Sequence, residues 1–244
     1  MPDPWGWLAL GLGAIVASTI GGVAGFGTSV IMIPLIAWTL GVKATVPVLT
    51  VAMFLGNSAR VWFSRHEIEG RVVAAFLAGA VPTGIVGAML YSRADSAWIS
   101  RILGAFMLLA VPMRRWLTAH GVRVRLRHFP VIGGVFGFLS SLVGATGPLM
   151  SPFFLGYGLR RGGYIATDAL CTVGTYFTRG YVFHRYALMT GPTVAVGLFL
   201  GVVMILGAWF GRQLLDRMSE RVFLRFIEAL LVLFGLQLLL WPSR

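Results

Sequence analysis

Two glycine-containing clusters interrupt apolar stretches of the sequence, and hydroxyl side chains stand beside both. The first cluster reads Gly25-Phe26-Gly27-Thr28-Ser29, and the second reads Gly144-Ala145-Thr146-Gly147-Pro148. Each precedes a short apolar run, and Thr, Ser and Pro are typical of helix starts. A helix start carries unpaired backbone N–H groups and a partial positive charge, so it can hold an anion. We predict an anion site made by Gly25, Gly27, Thr28, Ser29, Gly144, Thr146 and Gly147.

Three charged residues inside apolar stretches are further candidates. Arg60 and Arg179 can attract or gate an anion, or their side chains can snorkel to the lipid headgroups. Asp168 can take up a coupling proton, or it can pair with Arg161 two helical turns earlier. Both interpretations stay open for each residue.

The composition indicates which elements position these residues. Of the 244 residues, 57% are hydrophobic and 11% are charged, which predicts an all-α polytopic membrane protein. Apolar segments lie at about 5–26, 28–41, 44–63, 72–91 and 97–113, and again at about 129–145, 147–158, 164–183, 188–210 and 222–241. Segments 28–41 and 147–158 reach only about 21 and 18 Å, too short for a hydrocarbon core of about 30 Å. We therefore interpret them as half-helices that follow a break.

The order of the segments predicts a single membrane domain over 1–244 that contains an internal duplication. Repeat 1 spans residues 1–117, a basic cytoplasmic linker spans 118–128, and repeat 2 spans 129–244. Gly41, Thr50 and Arg60 correspond to Gly158, Thr167 and Arg179. A compositional likeness between glycine-rich segments is the alternative. The spacing of Gly133 and Gly137, and of Gly21 and Gly25, predicts close helix packing.

The distribution of Lys and Arg predicts the orientation. If each half-helix returns to the side from which its preceding helix came, one side collects 14 basic residues and the other 6. That split follows the positive-inside rule, and it inverts the two repeats, each with three to four spans. Both termini then lie outside the cytoplasm in a multi-pass protein of the cell (inner) membrane.

Composition also excludes several classes. The net charge of +12 is expected from arginines at membrane interfaces, so membrane lipids rather than nucleic acid are the predicted partners. A single cysteine, Cys171, and the absence of zinc-ligand spacing predict no metal site and no cofactor. No Walker A motif is present, so any energy comes from a gradient or a partner. The sequence leaves a homodimer open.

The two clusters resemble the TauE/SafE family of membrane permeases, whose halves each carry a glycine run before a short helix that ends in proline. Gly25, Gly27 and Pro34 match the first motif, with Thr28 and Ser29 in place of glycines. Gly137, Ser140, Gly144, Gly147 and Pro152 match the second, with Ser141 and Thr146 in place of glycines. The resemblance implies secondary transport of small sulfur-containing anions such as sulfite, sulfonates or other organosulfur acids.

We therefore predict a non-enzymatic permease that binds its anion at half-helix starts near the bilayer midplane and is coupled to a proton or another ion. An anion channel is the main alternative, although the spans outside the breaks show little of the polar stripe that a channel needs. An intramembrane hydrolase would require Ser140 or Ser141 with His184, and the sequence around these serines lacks a nucleophile motif.

Overall fold

The computed structural model describes residues 4–24, 28–159 and 161–214, together with the stretches 228–229, 232–233 and 235–240. Regular structure in these ranges is helical. The helices are α1 (Pro4–Ala24), α2 (Thr28–Leu40), α3 (Val42–Ser64), α4 (Gly70–Arg93), α5 (Ser96–Ala119), α6 (Phe129–Val143), α7 (Gly147–Tyr157), α8 (Arg161–Arg185) and α9 (Gly191–Leu214). These bounds confirm the all-α prediction, whereas most of the predicted segment at 222–241 lies outside the described residues.

Four helical stretches in the described ranges are long and apolar enough to cross a membrane. They are Val42–Glu67, Gly70–Arg93, Ser96–Ala119 and Leu126–Val143. Large apolar side chains cover their outer faces, and exposed tryptophans lie near helix ends, namely Trp5, Trp38, Trp62, Trp98 and Trp116. Tryptophan is enriched at membrane–water interfaces, so this arrangement fits a polytopic membrane protein.

The two predicted half-helices are present. At about 1.5 Å per residue, the 13 residues of α2 and the 11 residues of α7 extend about 20 and 17 Å. Each is followed by a glycine with positive φ, +85° at Gly41 and +103° at Gly158. Residues with a side chain rarely adopt this conformation, so both glycines suit the sharp reversal into the next helix. Pro34 and Pro152 lie inside these helices rather than at their ends.

Close packing joins α6 to α4. A Cβ atom at Gly137 would lie 2.6 Å from Cα of Ala80, and one at Gly133 would overlap the backbone of Phe76. The two helices therefore approach backbone to backbone, as the small-residue spacing predicts. Of the other predicted pair, Gly25 lies outside the described residues, and Gly21 is described only as part of α1.

The helices pack around a central contact between α3 and α8, which we call the α3–α8 seam. The most extensive contacts are those of α4 with α6 and of α1 with α9. Helix α3 packs on α8 and α9, and α8 packs on α3 and α4. The seam between α3 and α8 therefore lies at the centre of the bundle, and it holds the charged residues described next.

Candidate functional site

The break between α6 and α7 is built from three buried residues. Helix α6 ends at Val143, and Gly144 follows in the left-handed region with φ of +73°. The Gly144 N–H donates to the Ser140 carbonyl over 2.9 Å, which closes the end of α6. Ala145 and Thr146 are non-helical, and α7 begins at Gly147. The predicted break is therefore present, and its residues are protected by protein, as backbone inside a membrane requires.

The start of α7 has no side-chain cap. Thr146 occupies the N-cap position and is 5% exposed, but its side chain accepts no capping hydrogen bond. Its hydroxyl instead donates weakly to Met150 Sδ over 3.8 Å. Gly147, the first helical residue, is half-buried. In this first turn Pro148 has no N–H and the Leu149 N–H donates to the Thr146 carbonyl over 3.0 Å, so the Gly147 N–H is the first donor that a bound anion could use.

A fully buried guanidinium lies at the same break. Arg179 of α8 is 0% exposed, and its Nη1 donates to the carbonyl of Ser140 and, over 3.1 Å, to its Oγ. The Ser140 carbonyl is also the acceptor of the Gly144 N–H, so the guanidinium lies directly beside the break. The snorkelling alternative is wrong for Arg179, because its side chain is directed into the protein interior.

The other groups that contact Arg179 carry no charge. Its Nε donates to Thr50 Oγ1 over 2.7 Å, and its Cζ lies 4.5 Å from the centre of the Tyr176 ring. Its Nη2 is buried without a hydrogen-bond partner, and no carboxylate in the described residues forms an ion pair with it. A buried cation with an open donor is costly unless an anion completes it.

The start of α2 is the other predicted half of the site. Thr28 is the first residue of α2 and is buried, whereas Ser29 is half-buried. Gly25 and Gly27 lie outside the described residues. Helix α2 packs on α1 and α3, whereas α7 packs on α5 and α8. Among the main helix contacts of the described residues, α2 therefore does not pack directly against α7.

A buried carboxylate lies further along the α3–α8 seam. Asp168 is 8% exposed, and the charge of Arg60 acts on it from α3. Asp168 Oδ1 is buried without a hydrogen-bond partner. The side chain of Arg161, the partner considered from the sequence, lies outside the described residues. Because Thr50 contacts Arg179 while the Glu69 N–H, beyond the end of α3, contacts Thr167, the two helices run antiparallel.

Sequence reasoning did not place Thr50, Ser140 and Tyr176 in the site. Thr50 and Ser140 both carried a signal, since Thr50 aligns with Thr167 and Ser140 belongs to the second motif. The missing information was that α3 and α8 face each other, which neither helix encodes alone. Asn57 and Thr175 extend the same buried polar faces of these two helices.

The serines considered for hydrolysis are not arranged for it. The Ser140 hydroxyl accepts from Arg179, and Ser141 Oγ is buried without a partner, whereas His184 is exposed at the last turn of α8. His184 forms no hydrogen bond with either serine in the described residues. Within those residues, no three His, Cys, Asp or Glu side chains group in a way that would hold a metal.

An interrupted helix and a buried arginine inside a helical membrane bundle are features of membrane transporters. The family model described as "Sulfite exporter TauE/SafE" matches residues 10–238. The chain therefore belongs to the TauE/SafE family of membrane transporters, as its motifs predicted. No curated protein and no solved structure matches the chain.

Proposed function

We propose that this chain is a secondary transporter for small sulfur-containing anions, such as sulfite, sulfonates or other organosulfur acids. The observation that carries the proposal is the guanidinium of Arg179, which is fully buried at the α6–α7 break with Nη2 unpaired and no acidic partner among the described residues. An anion would neutralise this charge and accept the open N–H donors.

The surroundings of Arg179 favour a tetrahedral oxyanion. One oxygen can accept from the guanidinium while another accepts from the Gly147 N–H, since Pro148 has no N–H and the Leu149 N–H donates to the Thr146 carbonyl. The start of α2 at Thr28 is the second proposed donor end. The hydroxyls of Thr28, Ser29 and Thr146 would add orientation. Phosphate satisfies the same geometry, so the preference for sulfur rests on the family.

The helix pairing supports two repeats related by inversion. In the predicted duplication α1, α3 and α4 of the first repeat correspond to α6, α8 and α9 of the second. Under this correspondence the contact between α1 and α9 matches the contact between α6 and α4, and the contact between α3 and α9 matches the contact between α8 and α4. Gly41 and Gly158, which correspond in the two repeats, also share a positive φ. We propose that both termini face outward and that the linker at 118–128 is cytoplasmic, which places Arg179 nearer the outside and Asp168 nearer the cytoplasm.

Asp168 is the proposed coupling group, because a buried carboxylate with an oxygen that lacks a hydrogen-bond partner can take up and release a proton during each transport cycle.

An anion channel is the second candidate. The polar residues along α3 and α8, among them Thr50, Asn57, Thr175 and Arg179, favour it.

Counterflow in proteoliposomes tests the proposal. Vesicles loaded with unlabelled sulfite should accumulate labelled sulfite transiently, and the rate should saturate with concentration. Sulfate, methanesulfonate, phosphate and chloride should be compared as competitors. A channel would give no counterflow, and the absence of both flux and competition for every anion would contradict the proposed function.

A further inference from the structure

The linker between the two repeats has an apolar face and a basic face. Residues 122–127 read Val-Arg-Val-Arg-Leu-Arg, and residues 122–125 form no helix. Neighbouring side chains of such an extended stretch point to opposite sides, and burial alternates accordingly. Val124 is 8% exposed, and Val122 and Leu126 pack against the same core cluster. The residues that alternate with them are exposed, and we call them the arginine face: Arg123, Arg125 and Arg127.

The apolar face of the linker is fixed to the end of α7. The Val124 N–H donates to the Gly156 carbonyl over 3.1 Å, and a Cβ atom at Gly156 would overlap the Val122 carbonyl oxygen. The centres of the Phe129 ring, at the start of α6, and the Tyr157 ring, at the end of α7, are 5.4 Å apart. The linker, the start of α6 and the end of α7 therefore lie together at one end of the bundle.

Exposed apolar side chains flank the linker on both sides in the sequence. Trp116, in the last turn of α5, is 59% exposed, and Val131, in the first turn of α6, is 71% exposed. Tryptophan is typical of the membrane–water interface, and an exposed valine in a membrane span contacts lipid chains. The arginine face lies between these two residues, which puts it at the level of the lipid headgroups.

The charge of the arginine face is not neutralised by the part of the protein that the structure describes. Arg114 and Arg115 pair with Glu228, whereas no ion pair among the described residues involves the arginine face. Arg123 and Arg125 are two residues apart in extended backbone, so their Cα atoms are separated by about 7 Å. Like charges at this separation repel each other, and anions placed between them relieve the repulsion.

We propose that the arginine face binds the phosphate groups of anionic phospholipids. This inference goes beyond the proposed function and does not depend on it. Arginine forms paired hydrogen bonds with phosphate oxygens, and basic clusters beside a membrane span attract anionic lipids. The opposite face of the same segment holds the end of α7, so a bound lipid also stabilises the contact between Val124 and Gly156.

Hydrogen–deuterium exchange in lipid nanodiscs tests this surface locally. Amide exchange of residues 121–126 should be slower in an equimolar mixture of phosphatidylcholine and phosphatidylglycerol than in phosphatidylcholine alone. We expect a slowing of about fivefold or more, which is the factor that one arginine contributes near an anionic membrane surface. Glycerol 3-phosphate added to phosphatidylcholine nanodiscs should not reproduce the slowing, because a soluble phosphate is not concentrated at the membrane.

Two triple variants test whether the charge of the arginine face is responsible. Arg123→Gln/Arg125→Gln/Arg127→Gln should lose the effect of phosphatidylglycerol, and the variant should fold because all three side chains are exposed. Arg123→Lys/Arg125→Lys/Arg127→Lys keeps the charge, so it should keep most of the effect.

The matched control removes three exposed arginines from the other end of the bundle. Arg101 lies near the start of α5, whereas the linker follows its end, and Arg93 and Arg185 end α4 and α8. Arg93 contacts Tyr186, which follows Arg185 in the chain, so these two arginines lie at the same end. Arg93→Gln/Arg101→Gln/Arg185→Gln should respond to phosphatidylglycerol like the wild type.

Three outcomes would overturn the inference. They are equal exchange of the wild type in the two kinds of nanodisc, an undiminished lipid effect in the glutamine variant of the arginine face, and an equal loss in the control variant. Slowing by glycerol 3-phosphate would also overturn it, since the surface would then bind a soluble phosphate. Each of these outcomes leaves sulfite counterflow as a separate test of the proposed function.

Discussion

Arg179 Nε donates a 2.7 Å hydrogen bond to Thr50 Oγ1 and so joins α8 to α3 across 129 positions of the sequence. The same hydroxyl donates to the carbonyl of Val46 over 2.7 Å, which fixes its orientation. Thr50 thus presents its lone pair to the guanidinium. The charged group at the helix break is held by this contact and by Ser140 before any ligand binds.

Removing the Thr50 hydroxyl should therefore destabilise the protein. Thr50→Val leaves Arg179 Nε buried without an acceptor, and we expect the free energy of unfolding to fall by about 1 to 3 kcal/mol. Thr39→Val is the control, because the Thr39 hydroxyl bonds to carbonyls of its own helix. Unfolding followed by tryptophan fluorescence measures both variants. Equal stability of the two would show that the Thr50 contact contributes little.

The contact between α4 and α6 gives a second prediction. Gly137→Ala places a methyl group against the backbone of Ala80, whereas the nearest atom to a Cβ at Gly134 is Thr83 Cγ2 at 3.7 Å. We expect Gly137→Ala to be destabilising by about 1 to 3 kcal/mol and Gly134→Ala to be tolerated. Thermal unfolding in detergent measures the difference. A reversed order would contradict the helix packing described above.

The hydroxyls at the two helix starts should contribute to anion affinity. Thr28→Val and Thr146→Val keep the side-chain volume, and each should weaken sulfite binding by roughly tenfold because one hydrogen bond to a charged group is lost. A bulky residue at Gly147 should abolish binding. Thr178→Val is the control, since its hydroxyl bonds to the Gly174 carbonyl in the same helix. Wild-type affinity in the three site variants would place the anion elsewhere.

The proposed orientation is testable without a substrate. A reporter that is active only in the cytoplasm should be inactive when fused after Arg244 and active when inserted in the linker at 118–128. The 14 to 6 division of Lys and Arg is the physical reason. Activity at the C-terminal fusion would contradict both the orientation and the inverted repeats that depend on it.

The sequence was informative where local physics decides the structure. Glycine clusters predicted the start of α7 and the two short helices, because a helix cannot continue smoothly through Gly144 at a φ of +73°. The role of Arg179 could not be predicted in this way. Its position near a helix end allowed snorkelling, and only the packing of α3 and α6 against α8 brings Thr50 and Ser140 to its guanidinium.

The same limit applies to Asp168. Helical spacing suggested Arg161 as its partner, and the side chain of Arg161 lies outside the described residues. The electrostatic effect of Arg60, which lies on α3, could not be predicted from the sequence of α8. Helix-to-helix register depends on how two apolar surfaces fit together, and the sequence of one helix does not contain that information.

Calorimetric titration of sulfite into Arg179→Gln and Arg185→Gln tests the central claim most directly. Both variants remove one positive charge from α8, but Arg185 is exposed at the end of the helix whereas Arg179 is buried at the break. We predict that Arg185→Gln binds sulfite with wild-type affinity and that Arg179→Gln binds it at least about tenfold more weakly. Equal sulfite affinity in a folded Arg179→Gln variant and the wild type would contradict the assignment of the anion site.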